Sequence, residues 1–96
     1  MPSSIRLYTQ NDCPYCVIMK KKLDTWGYGY SEINVSENLQ GKGFLKDRGH
    51  RTVPQLYHGE TNLNAGVDTV NFERRHLEIM LLEATYEYDG GVEMFG

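Results

Sequence analysis

The stretch Asp12-Cys13-Pro14-Tyr15-Cys16 contains the only two cysteines of this 96-residue chain. Proline suits the first turn of a helix, because its fixed φ is helical and its missing N–H would have no partner there. Cys13 then stands at the N-cap of a predicted helix, and Cys16 follows three positions later on the same face. A pair with this spacing is typical of a reversible dithiol or of half a metal site, and less often of a structural disulfide.

The predicted helix start favours a thiolate at Cys13. Unpaired backbone N–H groups and the positive end of the helix dipole point at its sulfur. The dipole contributes only about 0.3–1 kcal/mol, so hydrogen bonds from N–H donors must supply the rest of the stabilisation. Asp12 acts in the opposite direction, because it places a like charge beside the thiolate. We therefore expect Cys13 to be the nucleophile.

Composition predicts one small domain, 1–96, with a single core. The chain is 40% hydrophobic, and no shift in composition marks a second domain. A net charge of −3 and scattered basic residues argue against a nucleic-acid partner. The run of three lysines at 20–22 is interpreted as a solvated helix face. Because no apolar stretch approaches the roughly 18 residues of a membrane span and no signal-like region opens the chain, we expect the protein in the reducing cytoplasm. We also expect a monomer.

Hydrophobic periodicity and turn residues predict the element order β-α-β-α-β-β-α. The predicted strands cover residues 5–9, 30–35, 52–57 and 61–64, and the predicted helices cover residues 14–26, 37–48 and about 69–84. Ser36 is the predicted cap of the second helix, and Asp68 or Thr69 that of the third. A right-handed β-α-β unit followed by an antiparallel hairpin implies an α/β fold, a four-stranded mixed sheet with three helices on its faces.

The third helix should pack on the sheet through one apolar stripe. The stripe consists of Val70, Phe72, Leu77, Ile79, Met80, Leu81 and Ala84. The tail 85–96 shows no periodicity that assigns it a structure or a role.

Three motifs in this order resemble the glutaredoxin family. They are Cys13-Pro14-Tyr15-Cys16 after the first strand, Thr52-Val53-Pro54 at the third strand, and Ala65-Gly66-Val67-Asp68 before the last helix. The order and separation of the motifs carry the resemblance, because a lone Cys-x-x-Cys also occurs in metal sites and other redoxins. The resemblance covers about residues 5–84 and implies a thioredoxin-like fold. It also implies a glutathione-dependent oxidoreductase that acts on glutathione mixed disulfides and on protein disulfides, ribonucleotide reductase being a family-typical client.

The resemblance also assigns roles to residues. Cys13 is the attacking thiolate, Cys16 is the resolving thiol, and together they form the redox-active disulfide. Glutathione, the co-substrate, would contact Tyr15, Thr52, Val53, Pro54, Gly66, Val67 and Asp68. In the family the bond before the proline is cis, and the residue matching Val53 pairs through its backbone with the cysteine of glutathione. The γ-glutamyl carboxylate would bind the N–H groups that open the last helix, with the amine near Asp68.

The chain departs from the family pattern at two positions near the proposed ligand. Gln10 stands where many glutaredoxins carry a lysine, and Ala65 stands where many carry the first glycine of a pair. A residue of the second helix usually reaches the glycine carboxylate of glutathione. The candidates for that contact are Gln40, Lys42 and Lys46.

Two other functions remain open from the sequence. One is a glutaredoxin-like thioredoxin reduced by thioredoxin reductase, against which the Tyr15 and Gly66-Val67-Asp68 motifs argue. The other is a carrier of an iron–sulfur cluster with Cys13 as a ligand, against which Pro14 argues by resemblance. A zinc site is not expected, because the three histidines form no ligand pattern with the cysteines.

Overall fold

The computed structural model of the protein describes residues 5–86. Its elements are β1 (Ile5–Thr9), α1 (Pro14–Trp26), β2 (Ser31–Asn34), α2 (Leu39–Asp47), β3 (Gln55–His58), β4 (Thr61–Asn62) and α3 (Arg74–Tyr86). This is the predicted order, and the predicted bounds of β1 and α1 are confirmed. The part of the tail that follows α3 lies outside the described residues. No helix between residues 5 and 86 has the length and apolar character of a membrane span.

The four strands form one mixed sheet in the order β2-β1-β3-β4. β1 lies parallel to β2, with Leu7 opposite Glu32, and antiparallel to β3, with Leu7 opposite Leu56. β3 and β4 form the predicted antiparallel hairpin, in which Tyr57 faces Asn62. The predicted four-stranded mixed sheet with three helices is therefore confirmed.

Alternating side chains of the central strands serve two cores. Leu7 and Leu56 belong to a cluster in which they pack with residues of α1 and of the α3 region: Met19, Leu23, Phe72 and Leu77. Tyr8 and Tyr57, one position further along, belong to a second cluster with Leu45 of α2. The period-2 alternation of a strand therefore sends α1 and α3 to one face of the sheet and α2 to the other.

Local signals determine both ends of α1. Cys13 is the N-cap, and its sulfur accepts a hydrogen bond from the Cys16 N–H. Gly27 ends the helix with φ of 81° and donates its N–H to the carbonyl of Asp24. A left-handed residue is favoured after a helix, and glycine adopts it without a Cβ clash.

The predicted cap of α2 is wrong. Asn38 caps this helix, its Oδ1 accepting the Gly41 N–H at 2.8 Å. Ser36 lies in the preceding turn, where its hydroxyl accepts the Asn11 N–H at 3.0 Å. Because that hydroxyl is engaged by another loop, the helix begins two residues later than predicted.

α3 also begins later than predicted, at Arg74. Asp68 caps a separate turn by accepting the Asn71 N–H at 2.9 Å, and the Glu73 N–H is accepted by Nδ1 of His76 at 3.0 Å. The predicted stripe is partly wrong as a result. Phe72 and Leu77 are buried, whereas Val70 and Ile79 are more than half exposed.

Candidate active site

Cys13 and Cys16 are joined by a disulfide, with their Cα atoms 5.2 Å apart. The two residues differ sharply in exposure. Cys16 is 2% exposed, whereas Cys13 is only half-buried at the start of the helix. A reagent in solvent therefore meets Cys13 first. The Cys16 N–H, 3.1 Å from the Cys13 sulfur, is positioned to stabilise negative charge there once the bond is reduced.

The Val53–Pro54 segment lies beside the disulfide. The Val53 carbonyl oxygen is 4.0 Å from the Cys13 sulfur. This is a contact and not a hydrogen bond, because a disulfide sulfur carries no proton. The Val53–Pro54 peptide bond is cis, which the family resemblance implied.

A groove of about 600 Å³ runs along this segment. All seven residues predicted to contact glutathione line it: Tyr15, Thr52, Val53, Pro54, Gly66, Val67 and Asp68. They come from the start of α1, from the loop before β3 and from the turn after β4. The fold thus brings together three motifs that are far apart in the sequence.

A buried amide supports one wall of the groove. Asn64 is 7% exposed, its Oδ1 accepts the Leu56 N–H at 3.0 Å and its Nδ2 donates to the Pro54 carbonyl at 3.2 Å. The side chain thus pairs with the backbone on either side of Gln55, as a neighbouring strand would. This role of Asn64 was not predicted from the sequence. The available signal was the alternation of Asn62, Leu63 and Asn64, which indicates amides on one side of a short strand.

Two further amides extend the support to Thr52. The side-chain amide of Asn62 donates to the side-chain oxygen of Gln55 at 3.3 Å and to the side-chain oxygen of Asn64 at 3.0 Å. Gln55 in turn donates to the backbone carbonyl of Thr52 at 3.1 Å. A satisfied amide network of this kind fixes the loop geometry.

A second groove of about 570 Å³ adjoins the first and shares His50, Thr52 and Val53 with it. Three cationic side chains line it: Lys42, Lys46 and Arg51. Gln10 is also present, whereas Gln40 is absent from the lining. Since no acidic side chain among residues 5–86 lines this groove, it is suited to an anion.

The interpretation of the lysine run 20–22 as a solvated face holds only for Lys21. Lys20 pairs with Glu32 at 2.8 Å, and Lys22 donates to three backbone carbonyls of the turn before α3. Two hydrogen bonds lower the pKa of the Glu32 carboxyl, and the one from Lys20 has a larger effect than the one from Thr9. Both lysines therefore tie α1 to neighbouring elements.

No group of three or more histidine, cysteine or acidic residues within residues 5–86 is arranged to hold a metal ion. His50 forms a short hydrogen bond with the Tyr57 hydroxyl, at 2.6 Å. Burial raises the pKa of Tyr57, so its hydroxyl stays protonated at neutral pH.

A family model described as Glutaredoxin matches residues 5–61, which is more than half of the chain. The chain belongs to the glutaredoxin family. Glutaredoxin 1 of Rickettsia prowazekii is 35% identical over 83 residues, covering 83% of this chain and 87% of the relative. Membership makes the protein a thiol–disulfide oxidoreductase with a thioredoxin-like fold.

Two solved structures are similar in fold to this glutaredoxin-family chain. The glutaredoxin-like protein NrdH-redoxin from Escherichia coli, described as having a thioredoxin-like activity profile, is 29% identical with a TM-score of 0.57. That match covers 60% of this chain and 76% of the redoxin. A buckwheat glutaredoxin in complex with glutathione is 24% identical with a TM-score of 0.63. That match covers 85% of this chain and 79% of the buckwheat protein, and it supports the fold alone.

Proposed function

We propose that the protein is a glutathione-dependent reductase of glutathione mixed disulfides and protein disulfides. One observation carries the proposal. Seven residues from the start of α1, the loop before β3 and the turn after β4 line one groove, and Val53, which belongs to that groove, contacts the Cys13 sulfur. A glutathionyl group on Cys13 would therefore enter the groove directly.

The γ-glutamyl end of glutathione would occupy the turn at Gly66, Val67 and Asp68. Within residues 5–86, no acceptor pairs with the backbone N–H groups of Asp68, Thr69 and Val70. Free N–H groups that converge on one turn bind a carboxylate well. Asp68 supplies the opposite charge for the γ-glutamyl ammonium, and capping the turn leaves its carboxylate with further acceptor capacity.

The glycine end would reach the second groove. Of the three candidates for this contact, Lys42 and Lys46 line that groove and Gln40 does not. Arg51 is a further cation at the same site, which the sequence analysis did not consider. These cations take the place of the lysine that many glutaredoxins carry at the position of Gln10.

The chemistry is thiol–disulfide exchange. The Cys13 thiolate attacks the glutathione sulfur of a mixed disulfide, and the client leaves as a thiolate. A second glutathione thiolate then attacks the glutathionyl sulfur on Cys13 and forms oxidised glutathione. With a protein disulfide, Cys13 binds the client covalently, Cys16 attacks the Cys13 sulfur and releases the reduced client, and two molecules of glutathione reduce the new Cys13–Cys16 disulfide. We propose the cytoplasm as the compartment, a monomer as the active form, and ribonucleotide reductase as one client.

Replacing the resolving thiol tests this assignment. Cys16→Ser should keep most of its activity on a small glutathione mixed disulfide, because a second glutathione completes the cycle. It should lose most activity on a protein disulfide such as oxidised ribonucleotide reductase. There a bulky client hinders glutathione, whereas Cys16 acts at high effective concentration. Rates measured with glutathione and glutathione reductase compare the two substrates, and equal losses on both would contradict the roles.

A second candidate is a redoxin reduced by thioredoxin reductase. The likeness to the NrdH-redoxin with its thioredoxin-like activity profile favours it, as do Gln10 and Ala65. The two candidates differ in their electron donor. Rapid reduction of the Cys13–Cys16 disulfide by thioredoxin reductase and NADPH, with slow reduction by glutathione, would favour the second candidate over the first.

A further inference from the structure

Lys22 connects α1 to the turn that forms one wall of the groove. Its Nζ donates to the carbonyl oxygens of Thr69 at 2.7 Å, Val70 at 3.1 Å and Phe72 at 2.7 Å. An ammonium group has three N–H donors, so these bonds use all of them. The side chain is half-buried, and it approaches from the helix that also carries Tyr15 and Cys16.

These bonds determine which way the peptide groups of the turn face. In a trans peptide the C=O and the following N–H point in opposite directions. The Val70 carbonyl points at Lys22, and the Asn71 N–H of the same peptide points at the Asp68 carboxylate, 2.9 Å away. The Thr69 carbonyl also points at Lys22. The Val70 N–H therefore points away from Lys22, towards the side of the turn on which Asp68 lies.

The charge of Lys22 also strengthens these N–H groups as donors. A hydrogen bond from a cation to a carbonyl polarises the peptide, and the polarisation makes its N–H a better donor. Thr69 and Val70 both line the groove, and the Val70 N–H has no acceptor among the described residues. A cation behind the turn thus favours an anion in front of it.

We propose that Lys22 is a positioning residue for the anion site of the groove. It holds the turn so that the free Val70 N–H faces the α-carboxylate of the γ-glutamyl group. The inference rests on the proposed function, because it names how this chain prepares one part of the glutathione site. Lys22 touches neither the ligand nor the reacting sulfurs. It acts through the peptide groups at residues 69–72.

A pair of substrates isolates this effect from general stability. One is a peptide–glutathione mixed disulfide, and the other is the same peptide joined to 4-aminobutyryl-cysteinyl-glycine, which lacks only the γ-glutamyl α-carboxylate. Wild-type protein should prefer the first substrate in kcat/KM. In Lys22→Met that preference should fall by about tenfold, mainly through a higher KM, because the lost interaction is made in the bound ground state.

Three variants complete the experiment. Lys21→Met removes an equal charge from the neighbouring, exposed position and should leave the preference unchanged. Lys22→Arg keeps a charge and several donors and should retain most of the preference. Lys22→Gln removes the charge and should lose the preference as Lys22→Met does. If Lys22→Met slows both substrates equally, or if Lys22→Arg and Lys22→Gln behave alike, the residue is only structural and the inference is wrong. If wild-type protein itself shows no preference, the proposed function fails at the γ-glutamyl site instead.

Discussion

The two cysteines of the site share one bond but have different surroundings. The Cys13 sulfur accepts a hydrogen bond from the Cys16 N–H at a helix start and is half-buried, whereas Cys16 is almost completely buried behind it. The helix dipole and the N–H donor stabilise a thiolate at Cys13 alone. Nucleophilic attack should therefore start from Cys13.

Alkylation of the reduced protein tests this asymmetry. Iodoacetamide at neutral pH should modify Cys13 at least about tenfold faster than Cys16, because reactivity follows thiolate character and access. Mass spectrometry of digests taken over time measures both rates in the same sample. Equal rates, or faster modification of Cys16, would contradict the assignment of Cys13 as nucleophile.

Glu32 should make the stability of the protein depend on pH. Hydrogen bonds from Lys20 and Thr9 lower the pKa of its carboxyl below the ordinary value of 4.5. A depressed folded-state pKa stabilises the fold above the unfolded pKa, and that stabilisation is lost as pH falls through the folded pKa. Because the Glu32 side chain is 35% exposed, the contribution is at most about 1 kcal/mol.

Denaturant unfolding of Glu32→Gln should show this pattern. The variant should be less stable than wild type at pH 7, and the difference should shrink once the pH falls below about 4.5, the range in which the native carboxylate becomes protonated. Glu37→Gln, on an exposed side chain, serves as the control. A difference that stays constant from pH 7 to pH 3 would show that the ion pair is not its cause.

The sequence predicted the N-cap position of Cys13, which is confirmed, but gave no indication of the contacts of Lys22, for a physical reason. The environment of Cys13 is local, since its cap, its proline and its N–H donor lie within three positions. The acceptors of Lys22 lie 47 to 50 positions away along the chain. A lysine run on a helix gives no sign of such partners, so only the folded chain identifies the role.

At the scale of elements, two glycines of α2 have opposite roles. A Cβ atom at Gly41 would lie 2.6 Å from Cγ2 of Ile33, a branched side chain on the adjacent strand β2. A Cβ atom at Gly43 would meet nothing within 4 Å. The sequence analysis treated α2 as a continuous helix without separating these positions. Gly41 allows α2 to approach the sheet, whereas Gly43 only lowers helix propensity.

Alanine substitutions should therefore change stability in opposite directions. Gly43→Ala should stabilise the protein by up to about 1 kcal/mol, the difference in helix propensity. Gly41→Ala should destabilise it by about 1–3 kcal/mol, because overpacking against Ile33 outweighs the same gain. Urea unfolding of both variants measures the change in free energy. Stabilisation by both would show that α2 does not pack this closely.

The ends of elements were predictable where their signals are local. α1 is bounded by a Cys-Pro start and by Gly27, and its predicted range of 14–26 is confirmed. α2 begins at Leu39 because the Ser36 hydroxyl is engaged by Asn11, a residue 25 positions earlier. α3 starts after a separate turn capped by Asp68, which leaves Val70 exposed. A long-range contact thus displaces the predicted cap of α2, whereas a separate local turn delays the start of α3.

At the scale of the whole molecule, the groove exists only because the sheet order brings three loops to one edge. β1 and β3 are neighbours, so the loop after β1, which ends at Cys13, and the loop before β3, which contains Val53, lie side by side. The turn after β4 closes the third side. The family resemblance predicted these residues as a set. It did not predict the amide network of Asn64, which depends on the register of the short hairpin.

The central claim is that glutathione attached to Cys13 occupies the groove between these loops. The most direct test compares two forms of isotope-labelled Cys16→Ser by NMR, one carrying glutathione on Cys13 and one carrying only a methylthio group. The account predicts amide shift differences between the two forms at Tyr15, at Thr52 and Val53, and at Gly66, Val67 and Asp68. Differences confined to the start of α1, with the other two loops unchanged, would contradict it.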